Sequence, residues 1–245
     1  MAKRKPIAAD IAAEIRSLLK DQGSAEHAKG VQWFFKEEVE SLGWYTADLR
    51  RAAVLARRQL RKELGLPFVV DVADRLFFGP VLEEKIFAVF LLEKLTGELG
   101  EKEFRLFESW LARISSWADH DALVHSLIAP MISAEPTRLP KAFKWSKSRD
   151  RWHRRAACVA LIHGTRQKRF FPQIARLASL LLSDGDDMVQ KGLGWLLRES
   201  AKANPTQTVP YLLKIRGRAP RLVLRTACET LSPHDRARIL GLRLQ

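Results

Sequence analysis

Apolar residues recur every three to four positions along nearly the whole chain, and no stretch alternates apolar and polar residues as a half-buried strand does. Ile7, Ile11, Ile15, Leu18 and Leu19 form one such stripe, which stops at Gly23. Leu49, Ala53, Ala56 and Leu60 form another behind Thr46, a residue type suited to an N-cap. Further helix starts are expected near Pro67, Pro80, Lys102, Trp117, Pro136 and Ser148, then near Arg166, Asp186, Pro205, Pro220 and Ser232. The chain is therefore expected to be all-α.

Helices of this length with short connections suit stacked antiparallel pairs. From Trp145 onward the pairs recur at a HEAT-like period, with starts near Ser148, Asp186 and Pro220 lying 38 and 34 residues apart. Each of these helices carries small residues in its first half (RRAACVAL, VQKGLGWLL and LVLRTACETL). The expected architecture is a curved solenoid whose inner helices line a concave face. No linker rich in Pro, Gly or Ser divides the chain, so residues 1–245 read as a single HEAT-like domain with a basic tail at 1–6.

Charge narrows the partner. The chain carries 42 Lys and Arg against 28 Asp and Glu, a net +14, which points first to nucleic acid and second to an anionic membrane surface. The excess is local. Ten basic residues and one acid, Asp150, lie between Lys141 and Arg169, whereas residues 81–110 hold seven Glu and four basic residues. No run of 18 apolar residues exists to span a bilayer, and MAKRKPIAAD lacks the apolar core of a secretory signal. Cys158 and Cys228 lack the spacing of a disulfide framework and fit a reducing compartment. The expectation is a cytoplasmic monomer, associated with the nucleoid when bound to DNA.

Within this cationic chain, Trp117 and Asp121 stand one helical turn apart in SSWADHDALV. Residues four apart on a helix differ by about 40° around its axis, so Trp117, Asp121 and His125 share a face while Asp119 points away. A plain alternative is a core Trp beside a first-turn acid favoured by the helix dipole. Arg151, Arg154 and Arg155 open a helix in DRWHRRAACVAL, and guanidinium groups suit phosphate because they donate paired hydrogen bonds and keep their charge. Trp152 beside them is either core or a wall of the same groove. In VQKGLGWLL, Gly192 lies one turn before Trp195 and leaves space either for a ligand or for a close helix neighbour. Trp33, Phe34, Phe35 and Lys36 form an aromatic–basic cluster expected to be core. The six histidines have no HExxH spacing, and no GxxxxGK[ST], GxGxxG or GxSxG element occurs, so no metal and no cofactor is expected.

Together these segments resemble the AlkD-like DNA alkylation-repair glycosylases, which are built from HEAT-like repeats. The resemblance runs from WFFKEEVESLG to the last helices and is sharpest in KWSKSRDRWHRRAA (144–157) and VQKGLGWLLRESAKANP (189–205). It implies that Asp121 is the catalytic carboxylate, that Trp117 and Trp195 contact the sugar, and that Arg155 binds phosphate. Arg151, Arg154, Lys144, Lys147, Lys191 and Lys36 would be further DNA contacts. Ala118 and His120 depart from the family pattern, and a register slip of two would make Asp119 the acid instead. The implied activity is hydrolysis of the N-glycosidic bond of cationic N3- or N7-alkylpurines in duplex DNA, without base flipping, in base excision repair. The alternative is a non-catalytic HEAT-repeat protein that binds damaged, bent or branched DNA.

Overall fold

The computed structural model describes residues 6–242, so residues 1–5 of the basic tail lie outside the described residues. Among the described residues all regular elements are helical. They divide into two compact units, with the boundary after Leu127.

The first unit contains α1 (Ala8–Asp21), α2 (Ala25–Gln32), α3 (Thr46–Leu64), α4 (Leu66–Phe77), α5 (Leu82–Leu92), α6 (Glu101–Trp110) and α7 (Trp117–Leu123). Its centre is α5, LEEKIFAVFLL, which is buried along nearly its whole length and packs on α3, α4 and α7. A helix this apolar on every side has no stable place except inside. Its first turn nevertheless carries three buried charges, and each is paired with a different segment. Glu83 accepts from the Ser41 hydroxyl and from the backbone N–H groups of Leu42, Gly43 and Trp44. Glu84 pairs with Arg16 of α1 at 2.9 Å. Lys85 donates to Asp119 at 3.0 Å, to the Arg113 carbonyl at 2.6 Å and to the Ser115 hydroxyl at 3.0 Å. Successive residues on a helix point about 100° apart, so one turn of α5 anchors α1, the loop before α3 and the start of α7.

The second unit contains α8 (Ala129–Ala134), α9 (Leu139–Trp145), α10 (Arg151–Val159), α11 (Ile162–Thr165), α12 (Phe171–Leu181), α13 (Asp187–Ala203), α14 (Pro205–Ile215), α15 (Arg221–Ala227) and α16 (Pro233–Leu240). The long helix α13 packs chiefly on α10 and α15. These three begin at 151, 187 and 221, steps of 36 and 34 residues, so helices in equivalent positions of successive repeats lie against one another. Two glycines of α13 permit the close approach. A Cβ on Gly192 would lie 3.0 Å from Arg155 Cγ, and one on Gly194 would lie 2.6 Å from Thr226 Cβ. The Thr226 contact cannot be relieved by bending a long side chain. Its steric cost of about 1–3 kcal/mol exceeds the roughly 1 kcal/mol that Ala gains over Gly in helix propensity. Gly194→Ala is therefore expected to lower the melting temperature by about 2–4 °C, measured by circular dichroism.

Three elements differ from the sequence expectation. The helix α2 has no buried residue and so no apolar stripe to read. The start expected near Arg166 falls at Phe171, because Lys168 (φ 54°) and Phe170 (φ 68°) adopt left-handed backbone first. Gly164 leaves the space for the Phe170 ring, since a Cβ there would sit 2.3 Å from Phe170 Cδ2. Finally, α7 runs on into a π-helical stretch, Val124–Ile128.

Candidate active site and nucleic-acid interface

Two carboxylates two residues apart on α7 have opposite surroundings. Asp119, at the third position of the helix, is fully buried. Its Oδ1 accepts from Ser116 N–H (2.8 Å), the Ser116 hydroxyl (2.7 Å) and His120 N–H (3.2 Å). Its Oδ2 accepts from Ser115 N–H (3.0 Å), the Ser115 hydroxyl (3.1 Å) and Lys85 Nζ (3.0 Å). Such a carboxylate has no lone pair left for a substrate, so its work is to fix the start of α7. The first-turn acid of this helix is thus Asp119, not Asp121.

Asp121 reaches solvent with 21% of its side chain exposed. Its Oδ1 lies 2.7 Å from Nδ1 of the fully buried His120. An ionised carboxylate can only accept, so Nδ1 carries the hydrogen and the ring orients the acid. His120 departs from the family pattern in the sequence and here serves as a neighbour that holds Asp121 in place. Trp117 is half-buried. Its indole N–H donates to the Phe34 carbonyl at 3.3 Å, and Phe35 stacks on it at 5.1 Å between centroids and 20° between planes. Both Trp117 and Asp121 lie within regular α-helix, so their four-residue spacing puts them on one face. His125 lies in the π-helical stretch, where the wider turn breaks that spacing.

The aromatic–basic cluster is not core. Trp33 is 91% and Phe34 76% exposed, and Lys36 is exposed as well. Only Phe35 turns inward, against Trp117. Four aromatic or basic residues in sequence carry no period, and their composition could not tell a core segment from an exposed one.

In the second unit, Trp195 is half-buried on α13. The space left by Gly192, one turn before it, is occupied by Arg155, so of the two readings of that glycine the close helix neighbour holds. Arg155 is 5% exposed and its Nη1 donates to the Met188 carbonyl at 2.6 Å, which ties α10 to the start of α13. Arg154 is held by Asp184 at 2.6 Å and by the Ser148 and Arg149 carbonyls. Hydrogen bonding to Asp184 raises its pKa still further. Arg151 lies 4.6 Å over the ring of Trp152, which is core, and 3.8 Å from Asp186. Lys191 pairs with Asp187 at 3.3 Å, while Lys144 and Lys147 are exposed. The acids of SDGDDM, lying at the start of the following repeat, are the partners that the run of arginines concealed.

The model of the DNA alkylation repair enzyme family matches residues 15–231. The chain belongs to this family. A solved structure described as a predicted DNA alkylation repair enzyme from Enterococcus faecalis superposes with a TM-score of 0.77 at 15% identity, covering 86% of this chain and 98% of that one. AlkD2 from Streptococcus mutans gives 0.57 at 19% identity, covering 77% and 91%. The protein smu.31 from Streptococcus mutans UA159 gives 0.53 at 17%, covering 75% and 100%. At such identities the superpositions speak to fold, and they establish the all-α, HEAT-like arrangement of this AlkD-like chain. No curated protein matches the chain. Membership of a DNA repair family makes DNA the substrate, and among the described residues no helix is long and apolar enough to cross a membrane.

Proposed function

We propose that this family member is a monofunctional DNA glycosylase that releases cationic N3- or N7-alkylpurines from duplex DNA as a monomer in base excision repair. The observation that carries the reading is the solvent-reaching Asp121 carboxylate, one turn from Trp117 and oriented by His120. Glycoside hydrolysis builds positive charge on the sugar. An alkylated purine is already cationic, so it leaves with the electron pair of the C1′–N bond as a neutral base and needs no proton donor. Water then forms the new bond to C1′ and gives up its proton through Asp121 to solvent. One carboxylate suffices, which suits a helix whose other acid is sealed inside.

In this reading the indole faces of Trp117 and Trp195 pack on the lesion's sugar, and the base stays stacked until the bond breaks. Arg155, whose Nη1 donates to the Met188 carbonyl, is assigned to phosphate in this reading. Lys36, Lys144, Lys147, Arg151, Arg154 and Lys191 supply the remaining cationic surface, with the exposed lysines carrying the larger share. Contacts to six or more phosphates should weaken duplex affinity by about 10³-fold or more between roughly 50 and 200 mM salt. A fluorescence-anisotropy titration checks this, and a flat response would argue against both DNA readings. The deciding assay is base release from duplexes carrying N7-methylguanine or N3-methyladenine. Tight binding without release from either would favour a non-catalytic binder of damaged DNA.

A further inference from the structure

The first unit holds an aromatic cavity of about 250 Å³ beside α7. Trp117, Ala118, Phe34, Phe35, Tyr45 and Ile86 are among the residues that line it. Its walls include two ring pairs close to parallel: Phe35 over Trp117 at 5.1 Å, and His27 over Tyr45 at 4.1 Å. The indole N–H bond to the Phe34 carbonyl fixes the Trp117 ring. Glu83 also borders the cavity, but its carboxylate is taken up by the Ser41 hydroxyl and three backbone N–H groups. Glu83 therefore has little accepting capacity left for an occupant, and the aromatic and aliphatic lining suits a planar ring system. The cavity is smaller than the roughly 300–1,000 Å³ of pockets for drug-sized ligands, which limits that occupant to about one bicyclic ring system.

We propose that this cavity captures the alkylated purine base once its glycosidic bond has been cut. The proposal deepens the glycosylase reading and rests on it. Before cleavage the base is cationic and attached to the sugar; afterwards it is neutral, planar and free, able to enter a small space walled by aromatic rings. Trp117 serves at both places, as a platform for the sugar and as a wall of the cavity, so the departing base has one side chain to pass.

Free 7-methylguanine and free 3-methyladenine, titrated against the full chain without DNA and followed by indole fluorescence, should each bind saturably. Tyr45→Ala removes one ring of a stack and should weaken binding about tenfold, the scale of a lost base–aromatic contact. Tyr45 caps α3 through its backbone alone and its ring is largely exposed, so the loss is confined to the stack on His27 and the melting temperature should fall by no more than about 2–4 °C. Ile86→Phe fills the cavity and should abolish binding. Absence of saturable binding to the unaltered chain would overturn the proposal, and so would wild-type affinity in both variants. Base release from DNA without free-base binding removes the capture site alone, whereas free-base binding without base release removes the glycosylase reading.

Discussion

Asp121→Asn is expected to bind a methylated duplex as the unaltered chain does and to release base about a thousandfold more slowly. The substitution keeps size and keeps an oxygen to accept from His120 Nδ1, which approaches Asp121 at 2.7 Å; what it removes is the charge. A carboxylate about 4 Å from a full positive charge gains roughly 4 kcal/mol at an effective dielectric near 20. Confined to the transition state, that is about 10³ in rate. Single-turnover release of 7-methylguanine measures it, and full activity in the variant would take Asp121 out of the mechanism. The same change at Asp119 should give the opposite signature. Six donors converge on that buried carboxylate, and an amide cannot accept them all, so Asp119→Asn shows itself in stability.

The largest loss of stability is expected from Lys85→Met. Lys85 and Asp119 form an ion pair with side-chain exposures of 3% and 0%. Removing the ammonium leaves a buried carboxylate short of its counter-charge, and breaking one partner of such a pair costs about 3–5 kcal/mol. It also frees the Arg113 carbonyl and the Ser115 hydroxyl from their donor. Urea unfolding monitored by Trp fluorescence should report the loss, with Lys94→Met, outside this network, as a control near zero. A shift below about 1 kcal/mol would mean that the serine and backbone donors hold Asp119 unaided.

Much of the helical frame could be read from periodicity because burial imposes it. The starts placed near Ser148, Asp186 and Pro220 lie within three residues of α10, α13 and α15. Where burial leaves no stripe, as in α2, nothing announced the helix. At the site, spacing alone separates Asp121 from Asp119 around the helix, but it does not say which of them is sealed. That depends on Lys85, 34 positions upstream. Likewise, Arg155 looked like part of a free cationic run because its partner carbonyl belongs to Met188, 33 positions on. The exposed Trp33 and Phe34 were misread because hydrophobic composition expresses a tendency to be buried, while their place beyond the end of α2 leaves both side chains mostly in solvent.

The charged first turn of α5 also has a temporal meaning. Its three anchors close loops of 68, 42 and 34 residues, from Glu84 back to Arg16, from Glu83 back to Ser41 and from Lys85 forward to Asp119. Two of these partners are synthesised before α5, and the third after it. A chain that lacks α7 would hold Lys85 in a half-built core without its counter-ion. Contacts this distant in sequence are slow to form. Completion of the first unit during synthesis therefore waits for α7, the helix that bears Asp121, so the unit reaches its final form only once its proposed catalytic acid has been made.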